Sequence, residues 1–336
     1  MKEKVTIHDI ARLLEVSPST VSRALNNNPR ISLSTREAVQ ALAMEHGYQP
    51  NSIASSLRKG KSPTIGVVIP RINRHFFSNV IGGMEEILNE AGFNLVICQS
   101  HESYQKEIAN LKSLIHLRVE AVFVSLSATT IKSSHIQEII DRGTRVIMFD
   151  RVTENIKTRK VVLDDYKGAY RMVEHMISQG YRNILHLGGM ENIAVYRQRR
   201  KGFQDALRHS GFNIKEQVIP NVITKETGFD TLNHYLNTTN SPDAVFCASD
   251  FSALGSLLAV RQKNLRVPGQ IGIAGFGNEP FTEYLQPGIS TVDQKADLMG
   301  HKVAELFLND ENTEFDHTEI ISPELMIRNS TSRNIN

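Results

Sequence analysis

Short β-branched runs alternate with amphipathic stretches from Thr64 onward, and this alternation constrains the fold more than any other feature of the sequence. In stretches such as 79–91 and 166–179, apolar residues recur three and four positions apart, which predicts helices. Apolar strands separated by helices are typical of doubly wound parallel sheets with helices on both faces. Strand starts near 65, 94, 121 and 145 recur at about the interval of those near 184, 218, 244 and 271, which indicates two similar α/β lobes. The predicted strands are 64–69, 94–98, 121–125, 145–149, 160–163, 183–187, 244–247 and 271–275.

The first 61 residues predict a separate, all-helical headpiece. Thr6 is suited to capping a first helix, and after a turn at Glu15-Val16, Ser17 is suited to capping a second one. Pro18 then occupies the first helical position, where its missing N–H costs nothing. Two helices joined by a short turn, with a polar front on the second, form the helix-turn-helix pattern. We expect that front to consist of Ser19, Thr20, Ser22, Arg23 and Asn26.

A third helix is predicted to begin with Ser34 as its cap and to end at Gly47. The residues Tyr48-Gln49-Pro50-Asn51 then break the chain. Segment 51–60, which follows, is short, apolar and basic. A segment of this length is too short to form a stable helix in isolation.

Positive charge gathers in the N-terminal part of the chain. Residues 1–61 contain nine Lys and Arg against five Asp and Glu, a net charge of +4. The whole chain contains 38 against 36, so the remaining 275 residues contain 29 basic against 31 acidic side chains. A basic segment with a helix-turn-helix pattern suits contact with DNA phosphates, and the alternative is an ordinary solvated basic surface.

Length and composition limit the other possibilities. At 336 residues the chain is expected to form two or three domains. Its two cysteines, Cys98 and Cys247, lie in apolar runs without a disulfide framework or metal-ligand spacing, which favours a reducing compartment. The sequence has neither a secretory leader nor an apolar run of about 18 residues, so we expect a cytoplasmic protein that makes no membrane contact.

The N-terminal motifs resemble those of the lactose/galactose-repressor (LacI/GalR) family of bacterial transcription regulators. Glu15 departs from that family, which more often has a small residue or Asn in this turn. The matching motifs are Val5-Thr6-Ile7-x-Asp9-Ile10-Ala11, Val16-Ser17-x-x-Thr20-Val21-Ser22-Arg23, Thr35-Arg36-Glu37, Gly47-Tyr48-x-Pro50-Asn51 and Ala54-x-x-Leu57.

The resemblance implies a DNA-binding domain at 1–49, a hinge helix or linker at 50–61 and an effector-binding and dimerisation domain at 62–330, followed by a polar tail at 331–336. It implies a periplasmic-binding-protein-like core, with one lobe at about 62–160 plus 293–320 and the other at about 163–289 plus 323–330. It also implies that Leu57 inserts into the minor groove at the centre of an operator, although an ordinary linker residue is the alternative. The residues expected to contact DNA are Thr6, Ser17, Pro18, Ser19, Thr20, Ser22, Arg23, Asn26, Tyr48, Asn51, Ala54, Leu57 and Arg58.

A ligand is expected beyond the carboxyl ends of the predicted strands, because ligands of doubly wound sheets collect there. Carboxylates, guanidinium groups and aromatic rings at one edge suit a sugar, whose hydroxyls and C–H face they can contact. The arginines at 71, 74, 151, 197 and 199 indicate an acidic sugar, and a nucleobase or another metabolite is the alternative. The expected effector-binding residues are Asn73, Phe76, Phe77, Asp150, Arg197, Arg199, Ser249, Asp250, Asn278 and Glu279.

Several of these residues also have simpler interpretations. One of Phe76 and Phe77 could be a core residue, and Asp150 could cap a turn. Arg199 could belong to a solvated charge run, and Asp250 could cap a helix at 251–263. The segment Gly275-Phe276-Gly277-Asn278-Glu279 also lacks the Asp that many family members have at the position of Gly277, so Asn278 or Glu279 must replace its contact, or the ligand differs.

The sequence contains no recognisable catalytic, nucleotide-loop or metal motif, so we expect neither an enzyme nor a cofactor. The predicted function is a transcriptional regulator, most simply a repressor of carbohydrate-utilisation genes. It would bind a pseudo-palindromic operator in double-stranded DNA as a homodimer and respond to a small effector. The competing interpretations are a sugar-transport protein, which would need an export signal, and an enzyme on a similar scaffold.

Overall fold

The computed structural model describes residues 5–48, 62–212, 216–309 and 314–333. The chain forms two compact units, Met1–Ser62 and Pro63–Asn336. The first unit is helical, and the second contains parallel sheets with helices between their strands. The fold class predicted from the sequence is therefore confirmed.

Within residues 5–48, the first unit contains three helices: α1 (Ile7–Leu13), α2 (Pro18–Leu25) and α3 (Leu33–Glu45). Thr6 caps α1, because its Oγ1 accepts a hydrogen bond from the Asp9 amide at 3.4 Å while the Asp9 carboxylate accepts one from the Thr6 amide at 2.9 Å. Ser17 caps α2, and Pro18 is its first residue. The predicted helix-turn-helix pattern is confirmed. The core of this unit consists of Ile10, Ala11, Val21, Ala24, Val39 and Ala43.

The start of α3 differs from the prediction. The cap is Ser32, whose Oγ accepts a hydrogen bond from the Thr35 amide at 3.2 Å, whereas Ser34 lies within the first turn. The prediction was wrong because both serines precede the apolar run, and only the backbone path decides which hydroxyl faces the free amide. In the turn between α1 and α2, Glu15 has a φ of 53°, a left-handed conformation that Gly or Asn adopts at less cost.

The second unit alternates strands and helices along the chain. The predicted strand boundaries differ from the observed ones by no more than two residues. The helices are α4 (His75–Glu90), α5 (Tyr104–His116), α6 (Ser134–Asp141), α7 (Asp165–Ser178), α8 (Ala194–His209), α9 (Lys225–Leu236), α10 (Asp250–Gln262), α11 (Phe281–Tyr284) and α12 (Ala296–Leu308). The strands are β1 (Ser62–Ile69), β2 (Asn94–Gln99), β3 (Val119–Val124), β4 (Arg145–Phe149), β5 (Arg159–Leu163), β6 (Ile184–Leu187), β7 (Gln217–Ile219), β8 (Ala244–Cys247), β9 (Gly272–Ala274), β10 (Thr291–Asp293), β11 (Thr318–Ile321) and β12 (Glu324–Met326).

These strands form two parallel sheets and a short antiparallel pair. The first sheet has the order β11–β5–β4–β3–β1–β2, and the second has the order β7–β6–β8–β9. Strands β10 and β12 pair antiparallel, with Val292 opposite Leu325. The chain thus returns from the second sheet, through β10 and α12, to add β11 at an edge of the first sheet.

Helices cover both faces of the first sheet, as alternate residues of β1 demonstrate. Val67 packs in a cluster that includes Met84 of α4 and Val303 of α12. Its neighbour Val68 packs in a different cluster, with Leu111 of α5 and Ile139 of α6. Successive side chains of a strand point to opposite faces, so β1 is buried on both sides, as a doubly wound sheet requires.

Three pairs of helices approach each other at glycines. A Cβ on Gly83 of α4 would overlap the carbonyl oxygen of Asp297 in α12, and a Cβ on Gly202 of α8 would overlap that of Tyr166 in α7. In the third pair, a Cβ on Gly255 of α10 would overlap the carbonyl oxygen of Lys225 in α9. The absence of a side chain at these positions allows the helix backbones to lie in contact.

The C-terminal segment predicted as a polar tail begins inside the fold. Thr331 is fully buried, and its hydroxyl lies 2.9 Å from His175 Nε2 and 2.6 Å from Ser290 Oγ. Arg333 follows, with its guanidinium carbon 3.8 Å from the centre of the Tyr181 ring. Residues 331–333 therefore belong to the packed structure, and 334–336 lie outside the described residues.

Candidate nucleic-acid interface and ligand cleft

The start of α2 presents hydroxyl groups and no carboxylate. Ser17 Oγ accepts a hydrogen bond from the Thr20 amide at 3.1 Å and lies 2.8 Å from Ser19 Oγ. No acidic residue occurs in the first turn of α2, so the positive end of the helix dipole is not compensated there. Such a helix start favours a phosphate group.

The remaining polar front of α2 is accessible. Ser19, Arg23 and Asn26 are exposed, whereas Thr20 and Ser22 are half-buried. The Asn26 side-chain amide donates a hydrogen bond to the Ser22 carbonyl at 2.7 Å. Val21 and Ala24 are buried on the opposite side of the helix. Helix α2 therefore has a buried apolar face and a polar face, as predicted.

The other predicted DNA contacts fall into two groups. Tyr48 packs against the core of the first unit, and the exposed Thr6 caps α1. The predicted hinge residues Asn51, Ala54, Leu57 and Arg58 lie outside the described residues.

In the second unit, a cleft of about 170 Å³ lies at the carboxyl ends of strands from both parallel sheets. Segments that follow β1, β2 and β4 line one side of it, and segments that follow β6, β7, β8 and β9 line the other. The cleft therefore lies where the strand order predicted a ligand. Six of the ten predicted effector-binding residues line it, namely Phe76, Phe77, Asp150, Arg199, Ser249 and Glu279.

Four predicted residues do not line the cleft. Asn73 is exposed, and Arg197 is exposed and donates a hydrogen bond to the Glu191 carbonyl at 3.1 Å. Asp250 is fully buried behind the lining. Asn278 is held by Arg328, whose Nη2 donates to the Asn278 Oδ1 at 3.0 Å. A position after the end of a strand indicates only at which edge of the sheet a side chain lies. It does not distinguish a residue that lines the cleft from one that supports the lining.

Arg199 is a buried residue rather than part of a solvated charge run. Its Nε lies 2.7 Å from Asp165 Oδ1, and its Nη1 donates to the Ala248 carbonyl at 2.8 Å. The guanidinium carbon lies 3.7 Å from the centre of the Phe276 ring. Burial raises the pKa of Asp165 to about 6, although Arg199 opposes this shift.

A second ionic cluster faces Arg199 from the first sheet. Arg151 Nη1 lies 2.8 Å from Glu102 Oε2, and Arg71 Nε lies 3.5 Å from Glu102 Oε1. Asp150 Oδ2 is 3.9 Å from Arg151 Nε and accepts a hydrogen bond from Ser125 at 3.2 Å. Burial raises the pKa of Asp150, and the nearby arginines Arg151 and Arg199 counteract the shift.

Asp250 supports the cleft from behind instead of capping α10. The cap is Ser249, whose Oγ accepts a hydrogen bond from the Phe251 amide at 3.3 Å. Asp250 Oδ1 accepts a hydrogen bond from Thr291 Oγ1 at 2.6 Å, and Oδ2 accepts one from the Glu279 amide at 2.8 Å. The alternative that Asp250 is only a helix cap is therefore wrong. Burial raises its pKa to about 7.

Aromatic rings provide the apolar part of the lining. Phe76 and Phe77 meet edge to face, with ring centres 5.2 Å apart. Phe77 also belongs to the hydrophobic core, so one residue serves both of the roles considered for this pair. The Arg74 guanidinium carbon, from the first-sheet side, lies 4.4 Å from the centre of the Phe251 ring on the opposite side. Arg74 and Phe251 therefore join the two sides of the cleft.

Gly277 lines the cleft where many family members have an Asp. Its φ is 139°, and a Cβ there would lie 3.2 Å from Asp250 Oδ2. Of the two residues expected to replace the missing carboxylate, Glu279 lines the cleft and Asn278 does not. In this segment the carboxylate that lines the cleft is therefore that of Glu279, not one at position 277.

The prediction missed several lining residues. Glu102 follows β2 by three positions, so a longer search past that strand end would have found it. Gln294 follows the short strand β10, and no local pattern in the sequence marks it. Other lining residues absent from the prediction are Met190, Val195, Tyr196, Ile223, Thr224, Ala248, Phe251 and Phe276.

Two family models match this chain. The model described as periplasmic binding proteins and sugar binding domain of LacI family matches residues 62–329. The model described as bacterial regulatory proteins, lacI family, matches residues 6–51. The chain belongs to the LacI family. The resemblance stated from the N-terminal motifs is confirmed, and the family consists of DNA-binding transcriptional regulators rather than enzymes.

Individual relatives of this LacI-family chain cover nearly its whole length. The probable HTH-type transcriptional repressor ExuR of Bacillus subtilis (strain 168) is 31% identical over 337 residues, which cover 98% of this chain and 99% of that protein. A solved complex of the transcriptional regulator CelR with cellobiose has a TM-score of 0.73 at 25% identity and covers 97% of this chain and 99% of that one. The Lac repressor dimer bound to operator and the anti-inducer ONPF has a TM-score of 0.89 at 22% identity, with coverage of 98% and 100%, and shares the fold.

In the parts of the chain that the structure describes, no helix is both long and apolar enough to cross a membrane. The same residues contain no group of three or more His, Cys, Asp or Glu side chains placed to hold a metal ion.

Proposed function

We propose that this LacI-family chain is a homodimeric transcriptional repressor of carbohydrate-utilisation genes, located in the cytoplasm. Residues 1–49 bind the operator, residues 50–61 form the hinge, and residues 62–330 bind the effector and dimerise. The observation that carries the proposal is the start of α2, where capping hydroxyls, an uncompensated helix dipole and the exposed Arg23 lie together.

In the operator complex, α2 lies in the major groove. Arg23 contacts guanine or phosphate, while Ser19 and Thr20 contact base edges and backbone. Ser17, Pro18, Ser22 and Asn26 complete the contacts of α2, and Thr6 and Tyr48 contact the adjoining backbone. Two copies related by a twofold axis contact two half-sites, so the operator is a pseudo-palindrome. Leu57 and Arg58, with Asn51 and Ala54, contact its centre through the minor groove.

The effector is a sugar or sugar acid bound in the cleft between the two parallel sheets. Aromatic rings of Phe76 and Phe77 and the charged groups of Asp150, Arg199 and Glu279 supply the contact types that a polyhydroxylated ligand needs. The similarity to the repressor ExuR supports a role in repression, and the similarity to the CelR–cellobiose complex supports a sugar as the ligand. Four residues that were predicted as ligand contacts are assigned supporting or peripheral positions: Asn73, Arg197, Asp250 and Asn278.

Effector binding then changes DNA affinity through the relative arrangement of the two sheets. A ligand shifts an equilibrium between two arrangements only by its difference in affinity for them. The cleft draws its lining from both sheets, and so a ligand there favours one arrangement.

The test is operator selection with the full-length protein. Genomic fragments retained by the protein are sequenced, and affinity for the enriched fragment is measured between about 50 and 200 mM salt. Six to ten phosphate contacts would lower affinity roughly a thousandfold over that range. Arg23→Ala should weaken binding, whereas Arg171→Ala, which changes an exposed residue of α7, should not. Failure to enrich any fragment, with or without a panel of sugars and sugar acids, would contradict the proposal.

A further inference from the structure

The four arginines of the cleft differ in how their charges are balanced. Arg199 pairs with Asp165 at 2.7 Å, Arg151 pairs with Glu102 at 2.8 Å, and Arg71 lies 3.5 Å from the same glutamate. Arg74 is different: no carboxylate among the residues that the structure describes lies within 4.0 Å of its guanidinium group. Its guanidinium carbon lies 4.4 Å from the centre of the Phe251 ring.

Glu279 is the carboxylate that interacts with Arg74 at longer range. Arg74 lowers the pKa of Glu279, but burial is the larger effect and leaves that pKa above its usual value. Glu279 thus interacts with Arg74 only at long range and does not form an ion pair with it within 4.0 Å. The Glu279 backbone amide is already engaged by Asp250, at 2.8 Å, which holds the segment in place.

The surroundings of Arg74 add to its positive potential. Arg74 is the residue immediately before α4, a helix of 16 residues, and no side chain caps that helix. The first turn of α4 contains no acidic residue, so the positive end of its dipole also remains uncompensated. Phe76 and Phe77 of that same turn line the cleft, so Arg74 and the start of α4 face the same cavity.

We propose that the ligand is a sugar acid with a single carboxylate, and that Arg74, together with the start of α4, receives that carboxylate. The inference rests on the proposed function of the cleft as the effector site. It assigns one negative charge rather than two, because one guanidinium group is left without a close partner while the other three are paired. The sugar ring then lies against Phe76 and Phe77, and its hydroxyls face the paired groups Asp150 and Arg199.

The experiment compares ligands that differ only at one carbon. Isothermal titration of the full-length protein measures D-glucuronate against D-glucose and D-galacturonate against D-galactose, with glucose 6-phosphate as the doubly charged probe. We expect an acid to bind at least tenfold more tightly than its neutral partner in one pair, and more tightly than the phosphate. A hydrogen-bonded charge pair supports an effect of roughly tenfold to a hundredfold.

Variants then assign the effect to Arg74. Arg74→Gln should lower affinity for the acid by roughly tenfold to a hundredfold and change affinity for the neutral sugar much less, and Arg74→Lys should restore part of the difference. Arg171→Gln removes an exposed arginine outside the cleft and should leave every affinity unchanged. Circular dichroism melting of each variant checks that the fold is retained.

Several results would overturn this inference: equal or tighter binding of the neutral partners, tighter binding of the phosphate, no binding of either acid, or an equal loss for both members of a pair in Arg74→Gln. If an operator is still selected in such a case, only the identity of the ligand is refuted. If no operator is selected either, the proposed function fails with it.

Discussion

Arg199 of α8 and Asp165 of α7 form an ion pair with an Nε–Oδ1 distance of 2.7 Å, and both side chains are about 95% buried. Arg199 lines the cleft, whereas Asp165 does not, and the Arg199 guanidinium group also donates a hydrogen bond to the Ala248 carbonyl. Because helix α7 holds the carboxylate, the guanidinium group is fixed in position before any ligand arrives. A buried charge needs such a partner, since burial alone strongly disfavours the ionised form.

We expect Arg199→Ala to lower the free energy of unfolding by about 3–5 kcal/mol, because it leaves the Asp165 carboxylate buried without its partner. The adjacent Arg200 provides a matched control. Its Nη1 lies 2.8 Å from Glu191 Oε1, but both side chains are more than a third exposed. Arg200→Ala should therefore cost no more than about 1 kcal/mol. Urea unfolding of both variants measures the difference, and similar losses would contradict the structural assignment.

The pH dependence of stability should contain a contribution from Asp250. Burial raises its pKa from 3.8 to about 7 in the folded chain, so the folded state binds the proton more tightly than the unfolded state. The stabilisation that results is complete below about pH 4 and is lost as pH rises through about 7. Asp250→Asn stays neutral, and its unfolding free energy should fall less over this range than that of the natural chain.

Urea unfolding between about pH 4.5 and 8 measures this difference. Asp165, whose pKa is raised to about 6, also makes the unfolding free energy fall as pH rises. Because both proteins contain Asp165, its contribution cancels when their pH profiles are compared. Parallel pH profiles for the two proteins would show that Asp250 is not the group responsible.

The cap of α3 can be tested with two neighbouring serines. Ser32→Ala removes the hydroxyl that accepts the Thr35 amide and should destabilise α3 by about 1 kcal/mol, or roughly fivefold in exchange protection. Ser34→Ala changes a residue inside the first turn and should have a much smaller effect. Hydrogen exchange of the α3 amides in the full-length protein measures both. A larger loss in Ser34→Ala would restore the assignment made from the sequence.

The adjacent glycines Gly82 and Gly83 of α4 should respond differently to replacement by alanine. A Cβ on Gly83 would overlap the Asp297 carbonyl oxygen of α12, so we expect Gly83→Ala to destabilise the chain by about 1–3 kcal/mol. A Cβ on Gly82 would meet nothing within 4 Å, and alanine is the better helix former by about 1 kcal/mol. Thermal unfolding should therefore show a lower midpoint for Gly83→Ala and an unchanged or higher one for Gly82→Ala. Two equal shifts would contradict the close contact of α4 with α12.

The order of helices and strands could be predicted because it depends on local patterns. Apolar spacing marked the buried faces of α4 and α7, and hydroxyls before apolar runs marked the starts of α1 and α2. The motifs of the first 51 residues also indicated the family. The choice between Ser32 and Ser34 was not predictable, since both serines fit the pattern and the backbone path selects one.

The sequence by itself determined that the chain has a helix-turn-helix unit followed by two parallel sheets, and that a ligand belongs at the carboxyl ends of their strands. The tertiary structure alone decided which side chains line that cleft and which lie behind it. Asp250 and Ser249 are neighbours in the chain, yet one is buried against Thr291 and the other lines the cavity. The spacing of apolar residues indicates only which face of a helix or strand is apolar. The partner of a buried charge depends on segments that are distant in sequence, as Asp165 is from Arg199.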